Sequence, residues 1–429
     1  MNILINGAGI AGNATAFWLS KLGHNVTIVE RFPTLRATGL QVDLRGHGIE
    51  VMRLMGLEQA FLDRKAPEQG LQVVDKAGRR RAFFPANKPG DGVQNFTSEF
   101  EIMRGDLCSL MYEATRHRAK YLFNVSIEKF NDNGDSVDVT LTNGTTEEFD
   151  LVVGADGQGS STRKMMFEPA IADAAYHPMK NVYMAYFTIR QPMIEGEEYI
   201  ATTYMAPGKR GIMTRRHSPN EIQVYLGCTT PSDRLTKSHR GEQSQAIKAA
   251  WADVFKGAGW QSEEITKTMM ESKSDFYSEC PALVKLKSWS RGRVTLAGDA
   301  GYCSTGTTGM GTTCAMVGAY ILAGEIGKHC SGTVRGNTSA TSGGTTEQLA
   351  AALDSYQQKF QPFMDQVQKD VSVSDDTGLM DMLTSTAFGI AVLNNLMALA
   401  SFFRINIGRW FLKETIRDWE LPIYEGMRD

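Results

Sequence analysis

Short apolar runs alternate with amphipathic stretches from the first residues onward. Asn2-Ile-Leu-Ile-Asn6 is apolar between polar ends, the pattern of a short strand buried on both faces. Ile10 to Leu22 predicts a helix, and Asn25-Val-Thr-Ile-Val29, ending at Glu30, predicts a second strand, so the chain opens on a β-α-β unit. A turn carrying Gly39, Gly46 and Gly48 leads to a helix from about Ile49 to Met55. Glu99 to Ala119 predicts a strand and a helix, and further strands are expected at Lys120 to Val125, Val137 to Thr142 and Leu151 to Val153. From Tyr183 to Cys228 the pattern changes to alternating runs, Val182 to Ile189 and Ile222 to Leu226 among them, parted by turns marked with Pro and Gly. This predicts a separate sheet.

Helical pattern resumes at Gln243 to Phe255. The strand Arg293-Val-Thr-Leu-Ala297 and a helix from Gly311 to Ile326 then return to the first architecture. The expected organisation is an α/β module in three pieces, residues 1–72, 99–175 and 286–330, interrupted by sheet-domain pieces at 73–98 and 176–285. A polar loop (331–347) and C-terminal helices (348–429) follow. Gly327 to Thr346, rich in Ser, Thr and Gly, predicts a solvated loop. Ala387 to Phe403 is apolar, but Asn394, Asn395 and Ser401 interrupt it and its length is at the lower limit for a membrane span, which favours a helix packed across two domains.

With 429 residues, 42% hydrophobic and 22% charged, the chain is long enough for two domains around a large core. Its net charge is -3 with Lys and Arg scattered among acids, so neither nucleic acid nor an anionic membrane is expected as a partner, and no obligatory membrane span is expected. The six cysteines have no CxxC spacing, which argues against a zinc site and predicts reduced thiols in a cytoplasmic enzyme. The first strand begins at Asn2, which leaves no room for a leader before the fold.

Three segments carry candidate chemistry. Gly7-Ala-Gly9-Ile-Ala11-Gly12 follows a strand and opens a helix, the context that gives this glycine spacing its meaning. Gly7 serves the tight turn, Gly9 lets backbone approach a pyrophosphate at the helix N-terminus, and Gly12 permits close helix-strand packing. Glu30 is placed to accept from an adenosine ribose. The second segment is Asp156-Gly157 at the end of a strand, followed by Ser160, Ser161 and Arg163. The third is Gly298-Asp299, at the end of another strand and before the glycines Gly306, Gly309 and Gly311 and Thr312. An acid and a second helix N-terminus far along the chain suit a flavin: Asp299 accepts from ribityl hydroxyls, and the helix start stabilises negative charge at the ring's pyrimidine edge.

In this order the segments resemble the class A flavoprotein monooxygenases, the aromatic hydroxylase family, over about residues 1 to 325, and most of all the members that modify bulky secondary metabolites and tetracyclines. The resemblance implies a Rossmann-like, glutathione-reductase-like FAD-binding domain interrupted by a mixed-sheet substrate domain. It implies FAD as cofactor, NADPH or NADH as a visiting co-substrate, O2, and a small-molecule substrate hydroxylated or epoxidised through a flavin C4a-hydroperoxide. It also assigns cofactor contacts to Arg36, Asp43, Arg45 and Arg104, and a place near the pyrophosphate to Asp156 and Gly157. Tyr302 stands where the family often has histidine, and Gly306 where it often has proline. Substrate contacts are expected from the sheet domain, with Tyr186, Arg210 and Tyr225 as candidate catalytic residues. The tyrosines also suit an ordinary amphipathic sheet, and Arg210, beside Lys209 after Pro207-Gly208, also suits a surface charge. A flavin oxidase or dehydrogenase, or a non-redox binding protein of the same fold, remains an alternative.

Overall fold

The computed structural model describes residues 1–35, 40–86, 99–237, 245–272, 276–330, 345–369, 371, 378–405, 416 and 418–428. The apolar runs of the first module assemble into a six-stranded sheet. Its order is Ser290–Arg291, Val294–Leu296, Leu151–Gly154, Asn2–Asn6, Asn25–Glu30, Ala119–Phe123. Ser290–Arg291 pairs antiparallel and the other strands are parallel, with Ile5 opposite both Ile28 and Val153, and Gly154 opposite Leu296. Strands from three distant parts of the chain thus lie side by side. Their central residues are buried on both faces, as continuous apolar runs require in a parallel sheet.

The helix Ile10–Lys21 is buried along nearly its whole length and packs against the helices Arg104–Thr115 and Gly311–Cys330. A helix apolar all round belongs between layers. Gly327 to Cys330 continue that last helix instead of opening the expected polar loop, and residues 331–344 lie outside the described residues.

The second module is a seven-stranded sheet in the order Tyr277–Glu279, Val182–Arg190, Glu221–Thr229, Arg210–Ser218, Ile200–Ala206, Gly70–Val74, Arg80–Pro85. Gly70–Val74 runs through the expected division between residues 72 and 73. One face, carrying Ala185, Phe187, Leu226, Ile212 and Tyr204, is covered by the helices Gln245–Phe255 and Ser262–Glu271 through Trp251, Phe255, Ile265 and Met269. The opposite face carries Tyr186, Tyr225 and Met213 side by side in register and turns toward the first module.

A capping box of Thr345 and Gln348 starts the helix Thr346–Gln368, which lies on Gly311–Cys330. Among the described residues the helix Ala387–Phe402 packs mainly on this sheet, against Arg80–Pro85 and Ile200–Ala206, with Met397 and Ala400 on Val73, Ala82 and Phe84. The expectation of a helix bridging two domains is corrected, because its packed face matches the apolar edge of this sheet. No helix among the described residues is long and apolar enough to cross a membrane.

Candidate active site

The N-terminal turn is held by packing and by two side chains. Gly7 has φ of +111° and its N–H bonds to the carbonyl of Val29 at 2.8 Å; a Cβ there would lie 2.6 Å from the Ala155 carbonyl oxygen. A Cβ on Gly12 would lie 1.9 Å from the Gly7 oxygen. Both positions therefore exclude a side chain on steric grounds alone. Gly9 differs, since a Cβ there would meet nothing within 4 Å. The space beside Gly9, at the N-terminus of Ile10–Lys21, is open to a group that needs close backbone approach. Asn13 donates to the carbonyls of Ala8 (2.6 Å) and Gly9 (3.1 Å), while the Glu30 carboxylate accepts from the N–H groups of Ala8 (2.9 Å) and Phe32 (3.0 Å).

The second segment is tied up internally. The Asp156 carboxylate accepts from the hydroxyls of Ser160 (2.5 Å), Ser161 (3.0 Å) and Thr162 (3.1 Å), the Thr162 N–H (3.0 Å) and the Asn6 amide (3.3 Å). It joins the strand Asn2–Asn6 to the start of the helix Ser161–Met166. Gly157 has φ of +82° with nothing within 4 Å of a built Cβ. The buried guanidinium of Arg163 donates to the carbonyls of Gln158 and Ala300, both at 2.7 Å, which fixes the second segment against the third.

In the third segment Gly298 has φ of +63°, and a Cβ there would lie 2.6 Å from the Ala11 Cβ. Asp299 follows as the first residue of the short helix Asp299–Tyr302 and is exposed. Encirclement by protein raises its pKa, while the Arg104 guanidinium and a hydrogen bond from the Cys303 thiol act in the opposite direction. Arg104 starts the helix Arg104–Thr115 directly after the strand Glu101–Met103, and its N–H bonds to the Leu40 carbonyl at 2.9 Å. Gly309 is left-handed (φ +64°), and Gly306 and Gly311 face open space. Thr312, in the first turn of Gly311–Cys330, is buried. The neighbouring Thr313 hydroxyl accepts from the Arg45 N–H at 2.9 Å, and the Arg45 guanidinium pairs with Asp43. Arg36 lies outside the described residues.

The two departures from the family pattern have separate explanations. Tyr302 points away from the cleft into the core, packed on Trp289 and Phe360 and hydrogen-bonded to the Tyr356 phenol at 2.9 Å. At Gly306 a Cβ would meet nothing within 4 Å, so no packing contact at this position calls for a proline ring.

Tyr186 and Tyr225 sit opposite each other in register, their rings edge to face at 5.6 Å. Arg210 is not with them. It lies three residues from Met213, the partner of Tyr225, and therefore on the other face of the sheet. There its guanidinium bonds to the carbonyls of Pro207 (2.8 Å), Val254 (2.8 Å) and Lys256 (3.3 Å), at the C-terminal end of Gln245–Phe255, which suits a cation. Its expected catalytic place is corrected to a structural one.

Two polar groupings were missed. Glu279 accepts from the phenols of Tyr186 and Tyr277, both at 3.2 Å, and from the Gln158 amide at 3.1 Å. Desolvation raises its pKa, Tyr186, Tyr277 and Arg104 lower it, and Asp299 raises it. Beneath Tyr225, Arg215 pairs with Glu68 (3.3 Å) and Glu101 (3.6 Å), while the Gln41 side chain binds Glu101 and the Gln41 N–H reaches the Tyr225 phenol at 3.1 Å. Isolated acids separated by tens to hundreds of residues carry no motif, so only strand register could have assembled them.

The family model described as "FAD binding domain" matches residues 1–367. The chain belongs to this family of FAD-dependent monooxygenases. It is 46% identical over 426 residues to the FAD-dependent monooxygenase asL4 of Sarocladium schorii, covering 99% of this chain and 98% of that one. It is 41% identical over 344 residues to the flavin-dependent monooxygenase eupH of a Phoma species, covering 77% and 78%. Among solved structures it resembles tetracycline destructase Tet(51) with a TM-score of 0.73 and 27% identity, covering 99% of both chains. This FAD-dependent monooxygenase has a cleft that fits its cofactor: open backbone at Gly9, Gly306 and Gly311, two buried helix starts, and an acid and an arginine between them.

Proposed function

We propose that this monooxygenase uses NADPH or NADH and O2 to hydroxylate or epoxidise a bulky aromatic or polycyclic small molecule. The observation that carries the proposal is the contact of Gly298 with Ala11, which joins the third segment to the first and sets Asp299 beside a tyrosine-lined sheet face. The similarity to a tetracycline destructase supports a polycyclic substrate.

FAD, when bound, supplies the redox chemistry, taking electrons from a visiting nicotinamide and activating oxygen at C4a. The chain's own residues bind and orient it. The N-terminus of Ile10–Lys21 receives the pyrophosphate beside Gly9, with Ala11 and Gly12 in the same turn. Glu30, whose oxygens already hold Ala8 and Phe32, presents its remaining lone pairs to the ribose. Asp299 and Arg104 would hold the ribityl chain, and the backbone at Gly309, Gly311 and Thr312 would receive the pyrimidine edge. Asp43 and Arg45 act as a paired unit, anchoring their turn to the flavin-side helix through Thr313. Asp156 and Gly157 shape the turn beside the pyrophosphate from behind.

On the sheet face, Tyr186 and Tyr225 would orient the substrate, and Glu279 would hold or release a proton at the Tyr186 phenol. The test is anaerobic: the FAD-loaded protein is mixed with NADPH or NADH, with and without a panel of aromatic and polycyclic compounds, and oxygen is then admitted. Faster flavin reduction with one compound, followed by a product carrying one added oxygen atom, is expected. Reduction by the organic compound without nicotinamide would replace this proposal with an oxidase or dehydrogenase.

A further inference from the structure

The helix Ala387–Phe402 is apolar on both sides, yet only one side is packed. Ile390 and Leu393 are buried, and Met397 and Ala400 pack on the sheet. On the opposite side Phe388 is 80%, Leu399 59% and Phe402 81% exposed, with Leu396 and Phe403 exposed beside them. Helical spacing gathers these five onto one surface about 24 Å long. A contiguous apolar face of this kind marks a contact with something else.

Two arginines accompany the face. Asn395, at the middle of the exposed side, accepts from the Arg81 guanidinium at 2.9 Å, and Arg404 stands exposed just past the helix end. The helix itself contains no charged residue. Among the described residues no carboxylate pairs with Arg81 or Arg404. A second copy of the chain suits this surface poorly: a two-fold axis through the middle of the face would set Arg81 against its own counterpart, a like-charge contact that opposes association.

We propose that this face rests on an anionic lipid bilayer surface, with the phenylalanines and leucines among the acyl chains and Arg81 and Arg404 at the headgroup phosphates. The helix lies along the surface, and the substrate sheet is held against it. The whole-chain charge of -3 carries no sign of this, because Arg81 is brought to the helix only in the fold.

The test is co-sedimentation of the FAD-loaded full chain with vesicles of phosphatidylcholine alone and of phosphatidylcholine mixed with phosphatidylserine. Binding to the mixed vesicles is expected. It should weaken on the order of tenfold or more in Leu399→Ser/Phe402→Ser and about fivefold in Arg81→Gln. FAD retention and circular dichroism should be unchanged in both variants, since the altered side chains lie away from the cleft. Absence of binding to mixed vesicles overturns the proposal, as does equal binding to neutral ones. A wild-type dimer by light scattering that Leu399→Ser/Phe402→Ser converts to monomer also overturns it, by showing that a second copy covers the face.

Discussion

Gly298 packs against Ala11 so closely that a Cβ at position 298 would stand 2.6 Å from the Ala11 Cβ, although 287 positions separate the two in the chain. This contact closes the cleft, because it brings the strand end before Asp299 to the turn that contains Gly9. Gly298→Ala meets both a clash and a left-handed φ of +63°. The expected cost is roughly 1–3 kcal/mol of stability, together with weaker FAD retention. Thermal melts with and without added FAD check this, and an unchanged melting temperature would refute the close contact.

Asp299→Ala is expected to weaken FAD binding more than Glu30→Gln. The first removes a carboxylate that the Arg104 guanidinium attracts at the mouth of the third segment. The second keeps an acceptor oxygen for the Ala8 or Phe32 N–H. A difference on the order of tenfold in Kd by flavin fluorescence is expected. Equal or reversed losses would count against the placement of Asp299 on the ribityl chain.

Arg210→Ala tests the corrected position of that side chain. Its guanidinium closes the C-terminal end of Gln245–Phe255 on the sheet's covered face, so the substitution should lower stability by about 1–2 kcal/mol. Flavin reduction and substrate dependence should stay as in the parent enzyme. Denaturant melts and stopped-flow reduction measure the two separately, and a fall in reduction rate without loss of stability would return Arg210 to the cleft.

Stability should also report the buried acids beneath Tyr225. Desolvation pushes Glu101 up from 4.5 to about 8, against the attraction of Arg215. A raised carboxyl pKa means that the folded state holds a proton which the unfolded chain releases. The stabilising contribution is complete below the unfolded pKa and is lost as pH rises through the folded one. Stability is therefore expected to fall between pH 4.5 and about 8, and Glu101→Gln should flatten that slope. Melting temperatures across this range decide it, with an identical slope in the variant as the contrary result.

Where the answer lay in local pattern, it was legible in the sequence. The strand Asn2–Asn6, the helix Ile10–Lys21, the fingerprint glycines and the return of the α/β architecture at Gly298-Asp299 follow from periodicity, turn chemistry and motif context. Tyr186 and Tyr225 share a face because strand alternation puts them there once they are paired. Arg210 was misplaced for the same reason: a residue's face depends on which partner its strand takes, and a register counted across a turn is not written in composition.

The sequence by itself determined that this chain builds one α/β module from distant parts of the chain, and it singled out Gly7, Gly9, Gly12, Glu30 and Asp299 as candidate cofactor contacts. Those features depend on contacts a few residues long, or on motifs whose spacing is their signal. Only the tertiary structure decided that Asp156 is occupied with Asn6 and a helix start, that Tyr302 belongs to the core, that Glu279 stands behind two phenols, and that the C-terminal helix keeps one apolar face bare. Each of these turns on neighbours brought together from tens to hundreds of residues away, where burial and partner, rather than residue type, set what a side chain does.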